Sequence, residues 1–322
     1  MANIILIDKS RVASIIDGNM ALVKQSVLNA LRIHYEQAYV QPSKVYLQDS
    51  PHAHKADRII AMPVHVKSHA LVSGIKWIGS KHTNPQHGLN RASALIVLND
   101  PGTNVPIAVL DGALISAMRT TAISLIAIER LRTEFRTVAI LGMGRLGRMH
   151  TNIFASEYPS VQEIRCFSQH APFEDLARQF PQVMKCDTFE DALKGADVVI
   201  TTTTANSSYI EPHYVPGDQL LINLSLMDFT IPVFTGSDIV VDDWRQCRKA
   251  EKVLKSAIDQ GLVLQADTHE LSNILFGPMK HKHFPGRTIV NPLGMALEDI
   301  VTAWEIYQQV KDDASLPTFE IE

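Results

Sequence analysis

Apolar residues recur along this chain with two different periods, and the switches between them mark out its organisation. Residues 3–7 read as a short strand, with Asp8 or Ser10 placed to cap a helical turn after it. From Met20 to about Tyr39 the apolar positions Val23, Val27, Leu31 and Ala38 follow helical spacing, and Pro42 closes the helix. Beyond it the period shortens. Residues 45–47, 58–62, 71–78, 94–98 and 107–110 read as strands, separated by turn chemistry such as Asp100-Pro101-Gly102-Thr103-Asn104. Short strands at this spacing predict an antiparallel sheet or partial barrel. Helical spacing returns from about Gly112 to Leu131, through Leu114, Met118, Ala122, Leu125 and Ile128.

The pattern then becomes strand alternating with helix. Val138-Ala139-Ile140-Leu141 is apolar and partly β-branched, as a buried parallel strand requires. It runs into Gly142-x-Gly144-x-x-Gly147, and an amphipathic stretch follows from Arg145 to about Tyr158. Strand, glycine turn and helix in that order form the context of a dinucleotide fingerprint. Gly142 allows the tight turn, Gly144 lets the backbone approach a pyrophosphate, and Gly147 lets helix pack on strand. The amides of Arg145 and Leu146 open the helix, where free N–H groups face the phosphates. Further strands are expected at 163–167, 196–203, 220–224 and 239–241, with helices at 173–180, 267–276 and 292–310 and a loop at 281–285. The expected fold class is α/β: a Rossmann-type doubly wound parallel sheet, residues 131–297, inserted in a second α+β domain. That second domain, 1–130 plus 298–322, is expected to bind substrate and to dimerise. Its many short apolar strands have little helix cover.

Composition narrows the class. A chain of 322 residues with 46% hydrophobic residues is ample for a buried core. A net charge of -4 with no dense basic run argues against nucleic acid. No apolar run approaches the roughly 20 residues of a membrane span. Cys166, Cys186 and Cys247 lie far apart with no C-x-x-C pair, and no cleavable apolar leader is seen, so a cytoplasmic protein is expected.

A redox site needs cations to hold an acidic substrate and a group that moves protons. Lys76 sits inside the apolar run Gly74-Ile75-Lys76-Trp77-Ile78, where a charge is costly without a partner. Arg119 offers a guanidinium fork on the helix entering the nucleotide domain. An edge-strand lysine and a helix-surface arginine are the plain alternatives. Asp228 follows the strand at 220–224, past a carboxyl end where α/β sites lie, although a turn-capping aspartate fits equally. Thr202 and Thr203, in the run 201–204, end another strand and could reach cofactor, or simply fill it. His52-x-His54 and His281-x-His283 lack a nearby Cys or carboxylate completing the usual ligand set, so surface histidines and no metal are expected. About twenty residues past the glycines, where an acid would take the ribose 2′-OH, stand Ser168-Gln169-His170. NAD and NADP therefore both stay open.

These residues resemble the ornithine cyclodeaminase/mu-crystallin family over essentially the whole chain. The resemblance rests on Ile75-Lys76, residues 100–110, Ser116-Ala117-Met118-Arg119-Thr120-Thr121-Ala122-Ile123-Ser124, the glycine loop, Val240-Val241-Asp242-Asp243 and Asn291-Pro292-Leu293-Gly294-Met295-Ala296-Leu297-Glu298-Asp299. Residues 56–63, 73–82, 90–93 and 241–247 look closest to its siderophore-pathway branch, which makes L-2,3-diaminopropionate. That likeness implies NAD-dependent oxidative cleavage of an amino acid conjugate, N-(2-amino-2-carboxyethyl)-L-glutamate, to 2-oxoglutarate and diaminopropionate by a homodimer. It implies Lys76 and Arg119 as carboxylate contacts and Asp228 as the catalytic acidic residue; Lys76 is expected to assist it, and Thr120 to lie beside the cofactor. Arg91, with Arg58 or Lys81, would suit a substrate carrying three carboxylates. Other activities on the same scaffold are ornithine cyclodeaminase, alanine dehydrogenase, ketimine reductase and an NADPH-dependent binding protein of the mu-crystallin kind.

Overall fold

The computed structural model describes residues 2–50, 54, 57–68, 71–225, 227–250 and 252–321. Two compact units share the chain, Met1–Ile123 with Gly294–Glu322 and Ser124–Leu293.

The first unit holds β1 (Ala2–Ile7), α1 (Lys9–Ile16), α2 (Met20–Tyr35), β2 (Tyr39–Val40), β3 (Val45–Leu47), β4 (Arg58–Val66), β5 (Val72–Ser80), β6 (Ala92–Asn99) and β7 (Pro106–Asp111). It also holds the start of α3 (Ala113–Leu131) and, from the far end of the chain, α11 (Ala296–Val310) and β16 (Thr318–Ile321). The strands form one open sheet in the order β16-β1-β7-β6-β5-β4-β2, with β3 also on β4. Every pairing is antiparallel except β1 with β7. Along β5 the buried positions are Val72, Gly74 and Lys76, the alternation of a strand with one covered face. The cover is α11. A Cβ on Gly74 would lie 2.8 Å from Ile300 Cδ1 of that helix and 2.8 Å from the Val97 carbonyl, so glycine sets how closely α11 approaches.

One open alternative is settled here, and two local readings need correction. Asp8 caps α1, accepting from the Arg11 amide at 2.8 Å, and Ser10 donates to Asp8 instead of capping. Helix α2 stops at Tyr35, because Gln37 takes a left-handed φ of 54° and turns the chain into β2. Helix α11 starts at Ala296, not 292, since the left-handed Gly294 (φ 80°) holds the preceding residues in a loop.

The second unit contains the rest of α3, then β8 (Thr137–Leu141), α4 (Arg145–Glu157), β9 (Glu163–Phe167), α5 (Glu174–Gln179), β10 (Val183–Lys185), α6 (Phe189–Leu193), β11 (Val198–Thr201) and β12 (Leu220–Asn223). It closes with α7 (Ile231–Thr235), β13 (Asp238–Val241), α8 (Trp244–Cys247), α9 (Val253–Asp259), β14 (Thr268–Glu270), α10 (Leu271–Phe276) and β15 (Thr288–Val290). All eight strands are parallel, in the order β10-β9-β8-β11-β12-β15-β13-β14. The sheet winds outward in both directions from β8 and β11, which is the doubly wound arrangement, and the order reverses between those two strands. Strands β11 and β12 are buried at every residue, as sheets covered on both faces demand. The expected helix at 267–276 divides into β14 and α10, because residues 268–270 pair with 239–241. No helix among the described residues is long and apolar enough to cross a membrane.

Candidate functional site

In the second unit the chemistry collects at the strand-order reversal. Gly142, at the end of β8, has a φ of 92°, and a Cβ there would press on Thr202 and Thr203 backbone atoms at 3.0 Å. A Cβ on Gly147 would fall 2.0 Å from the Gly142 carbonyl, so α4 can leave the turn only from a glycine. Gly144 differs. A side chain there would meet no protein atom within 4 Å, so protein packing does not demand this glycine. Gly144 is also the N-cap of α4 without a side-chain cap, and Arg145 beyond it is exposed and makes no side-chain bond among the described residues. Open backbone amides and an unengaged cation suit a pyrophosphate. Leu146 contributes its carbonyl to His150 Nδ1 at 2.8 Å.

Thr202 pins the turn. Its hydroxyl donates to the Gly142 carbonyl at 2.6 Å, so its side chain serves the loop itself. Thr203 serves Asp228: its hydroxyl donates to Asp228 Oδ1 at 2.5 Å, and the Tyr209 hydroxyl donates to the same oxygen at 2.8 Å. Ser225 Oγ accepts from the Thr203 amide at 2.8 Å. Burial, with the Asp228 charge beside it, pushes the Tyr209 phenol well above its ordinary range, so it stays a donor. Asp228 is wholly buried, and its Oδ2 has no hydrogen-bond partner among the described residues. The carboxylate is thus held at one oxygen only, by two hydroxyl donors. Sequence reasoning missed Tyr209 and Ser225, which show no motif spacing. Ser168 follows β9 directly, where its Oγ accepts from the Ala171 amide at 3.1 Å.

In the first unit Lys76 and Arg119 meet at one carboxylate. Lys76 Nζ donates to Asp299 Oδ2 at 2.6 Å and to Ser116 Oγ at 3.2 Å. Arg119 Nε donates to Asp299 Oδ1 at 2.9 Å and its NH1 to Glu298 Oε2 at 2.9 Å. Lys76 is 1% exposed and Arg119 6%, which rules out both the solvent lysine and the surface arginine. Burial lowers the Lys76 pKa to about 8, the Asp299 charge opposing and the Arg119 charge adding to the fall. Burial pushes the Asp299 carboxyl up, but the Arg119 and Lys76 charges outweigh it and hold it below the usual range. Gly294 leaves room for the guanidinium: its Cβ would sit 2.5 Å from Arg119 NH1. Thr120 returns its hydroxyl to the Ser116 carbonyl at 2.7 Å on the same helix.

Arg58 and Arg91 fall elsewhere on the sheet. Arg58 pairs with Ser80, and the Lys81 amide donates to the Arg91 carbonyl, four to five residues along β5 from Lys76. At about 3.3 Å per residue this is on the order of 13 Å or more. There they join Asp57, His54 and His82, while the Arg58 guanidinium lies 5.2 Å over the Tyr46 ring. The His54 reading is therefore corrected: a carboxylate and a second imidazole do stand beside it. His52 lies outside the described residues. His281 and His283 are exposed and belong to no such cluster among the described residues.

In the second unit the loop at 291–293 is tied from two sides. Leu293 donates its amide to Asp242 Oδ2 at 2.9 Å, and Lys252 Nζ donates to the Pro292 carbonyl at 2.9 Å.

The profile of the ornithine cyclodeaminase/mu-crystallin family matches residues 9–314. The chain is 38% identical over 313 residues to N-((2S)-2-amino-2-carboxyethyl)-L-glutamate dehydrogenase of Staphylococcus aureus, covering 91% of this chain and 92% of that protein. It is 24% identical to the alanine dehydrogenase of Archaeoglobus fulgidus, over 94% of each. A solved Thermococcus litoralis Δ1-pyrroline-2-carboxylate reductase, in complex with NADH and L-proline, superposes with a TM-score of 0.87 at 21% identity, covering 98% of this chain and 99% of that one. The glycine turn, the buried lysine–arginine pair and the match along nearly the full chain agree: this protein belongs to the ornithine cyclodeaminase/mu-crystallin family.

Proposed function

We propose that the chain is an NAD-dependent dehydrogenase that cleaves N-(2-amino-2-carboxyethyl)-L-glutamate to 2-oxoglutarate and L-2,3-diaminopropionate. The observation that carries this reading is the 38% identity to a dehydrogenase of that name along 91% of the chain. In this reading Lys76 and Arg119 receive a substrate carboxylate, and Arg58 and Arg91 serve the additional ones. When bound, NAD supplies the hydride acceptor for oxidation of the secondary amine. Gly142, Gly144, Arg145, Leu146 and Gly147 hold its pyrophosphate. Thr120, Ser168, Thr202 and Thr203 line its remainder. Asp228, through its idle Oδ2, takes the proton from the water that hydrolyses the C–N bond, with Lys76 assisting. The diaminopropionate then feeds siderophore or peptide antibiotic synthesis in the cytoplasm.

A homodimer belongs to the same reading. Val45, Leu47, Ile59, Trp77 and Leu95 share one face of the first sheet by pairing register, opposite Lys76, and all are exposed. An apolar patch of that kind suits a second copy of the chain.

One observation favours a second reading. Asp299 and Glu298 already neutralise Lys76 and Arg119, which suits a substrate with a single carboxylate, as for an alanine dehydrogenase or ketimine reductase. Incubation with synthetic conjugate and NAD separates the two. Equal yields of NADH and 2-oxoglutarate are expected; neither product from the conjugate, with NADH formed from alanine, overturns the first reading. Parallel assays with NADP test the cofactor, and a strong NADP preference sinks the NAD assignment.

A further inference from the structure

Outside the residues assigned above to proton transfer and cofactor, the described residues bring one set of metal-ligating side chains together. His54, Asp57 and His82 each offer one donor atom, and these atoms lie within 4.8 Å of one another. We propose that they form a binding site for a borderline divalent transition-metal ion, zinc in the first instance, with two imidazole ligands and one carboxylate.

The arrangement is built by pairing, not by sequence proximity. Arg58 and Ser80 are register partners across β4 and β5, which brings the segment before β4 against the segment after β5. The His82 amide then donates to Asp57 Oδ1 at 2.6 Å, fixing the carboxylate from the backbone. His82 Nδ1 stands 2.9 Å from Oδ1 and 2.8 Å from Oδ2 of the same group. The His54 ring stacks on that of His82, with centroids 4.3 Å apart and planes 18° from parallel. Two nitrogens and an oxygen are the ligand types zinc takes, at about 2.0–2.2 Å each, and such bonds leave tetrahedral ligands about 3.4 Å apart. Closing the set therefore takes a shift of about 1.4 Å together with rotation of the stacked rings, with a fourth position left for water.

Neighbouring charge sets the strength of binding. Arg91 and Arg58 lie close by and oppose a dication. The site therefore suits an exchangeable ion rather than a structural zinc, and its loss leaves the fold standing. Sequence reading passed over it because His82 lies 25 residues from Asp57.

Titration of the untagged, chelator-stripped full chain with Co2+ tests the proposal. One Co2+ per chain is expected, with visible ligand-field bands that one equivalent of Zn2+ removes. His82→Ala and Asp57→Asn each weaken binding at least about tenfold, with thermal midpoints unchanged, and His281→Ala leaves it untouched. Absence of the bands, or His82→Ala and His54→Ala binding as tightly as the native chain, overturns it. So does binding of inorganic phosphate, abolished by Arg91→Ala, in place of Co2+, which makes the cluster an anion site.

Discussion

Asp299→Asn is the sharpest test of the cation pair. The carboxylate accepts from Lys76 through Oδ2 and from Arg119 through Oδ1. Asparagine keeps the shape but has a single acceptor oxygen, so one cation must face an amide N–H₂ in a wholly buried setting. Breaking a buried ion pair from one side costs about 3–5 kcal/mol. For a unit of this size that is a fall in thermal midpoint of roughly 6–20 °C at pH 7. The penalty depends on pH in a stated direction. Lys76 falls from its usual 10.5 to about 8, so the unfolded chain binds one more proton between those values. Native stability from this group is complete above about 10.5 and is lost as pH falls through 8, a swing of about 3 kcal/mol. At pH 10 Lys76 is already neutral in the native protein, and the penalty of Asp299→Asn shrinks to the Arg119 contact. The assay is urea unfolding of native and variant at pH 7 and pH 10. Equal stability of the two proteins at pH 7 refutes the shared-acceptor account. Should the variant fail to fold, the pair Lys76→Met with and without Asp299→Asn gives the coupling, expected above about 1.5 kcal/mol.

Three further outcomes are expected. His150 is fully buried, and burial lowers its pKa to about 4 against its bond to the Leu146 carbonyl. The unfolded chain thus binds the extra proton between 6.5 and 4, stability falls by about 3 kcal/mol as pH drops through that window, and His150→Gln flattens the slope in chemical denaturation. Gly147→Ala drives a methyl into the Gly142 carbonyl; NAD affinity by calorimetry drops at least about a hundredfold, and native affinity in the variant would dismiss the close-packing argument. Tyr209→Phe removes one of two donors to Asp228 Oδ1; turnover falls roughly 10–100-fold while the thermal midpoint moves by only a few degrees, and unchanged turnover removes Tyr209 from the site.

Much of this was legible in local chemistry. The glycine turn announces itself because three glycines at fixed spacing answer backbone needs within six residues. Lys76 was legible as anomalous, since an ammonium inside an apolar strand demands a partner. Its partner was not, for Asp299 lies 223 residues further on and only the packing of α11 at Gly74 brings it over. Strands β10 and β15 escaped notice because three residues show no period, and β16 because its pairing with β1 joins opposite ends of the sequence. The Asp57–His82 contact was hidden for the same reason: β-pairing, not periodicity, makes it.

The late arrival of α11 shapes how the chain is born. A ribosome adding about 5–20 residues per second needs roughly 10–45 s to travel from Lys76 to Asp299. During that interval the strands of the first sheet exist without their covering helix, and the lysine without its counter-charge. The parallel-stranded unit, by contrast, is complete once Leu293 has emerged. The nascent chain thus matures from its middle outward, with a sticky half-finished sheet in the waiting period that holdase chaperones are suited to shield.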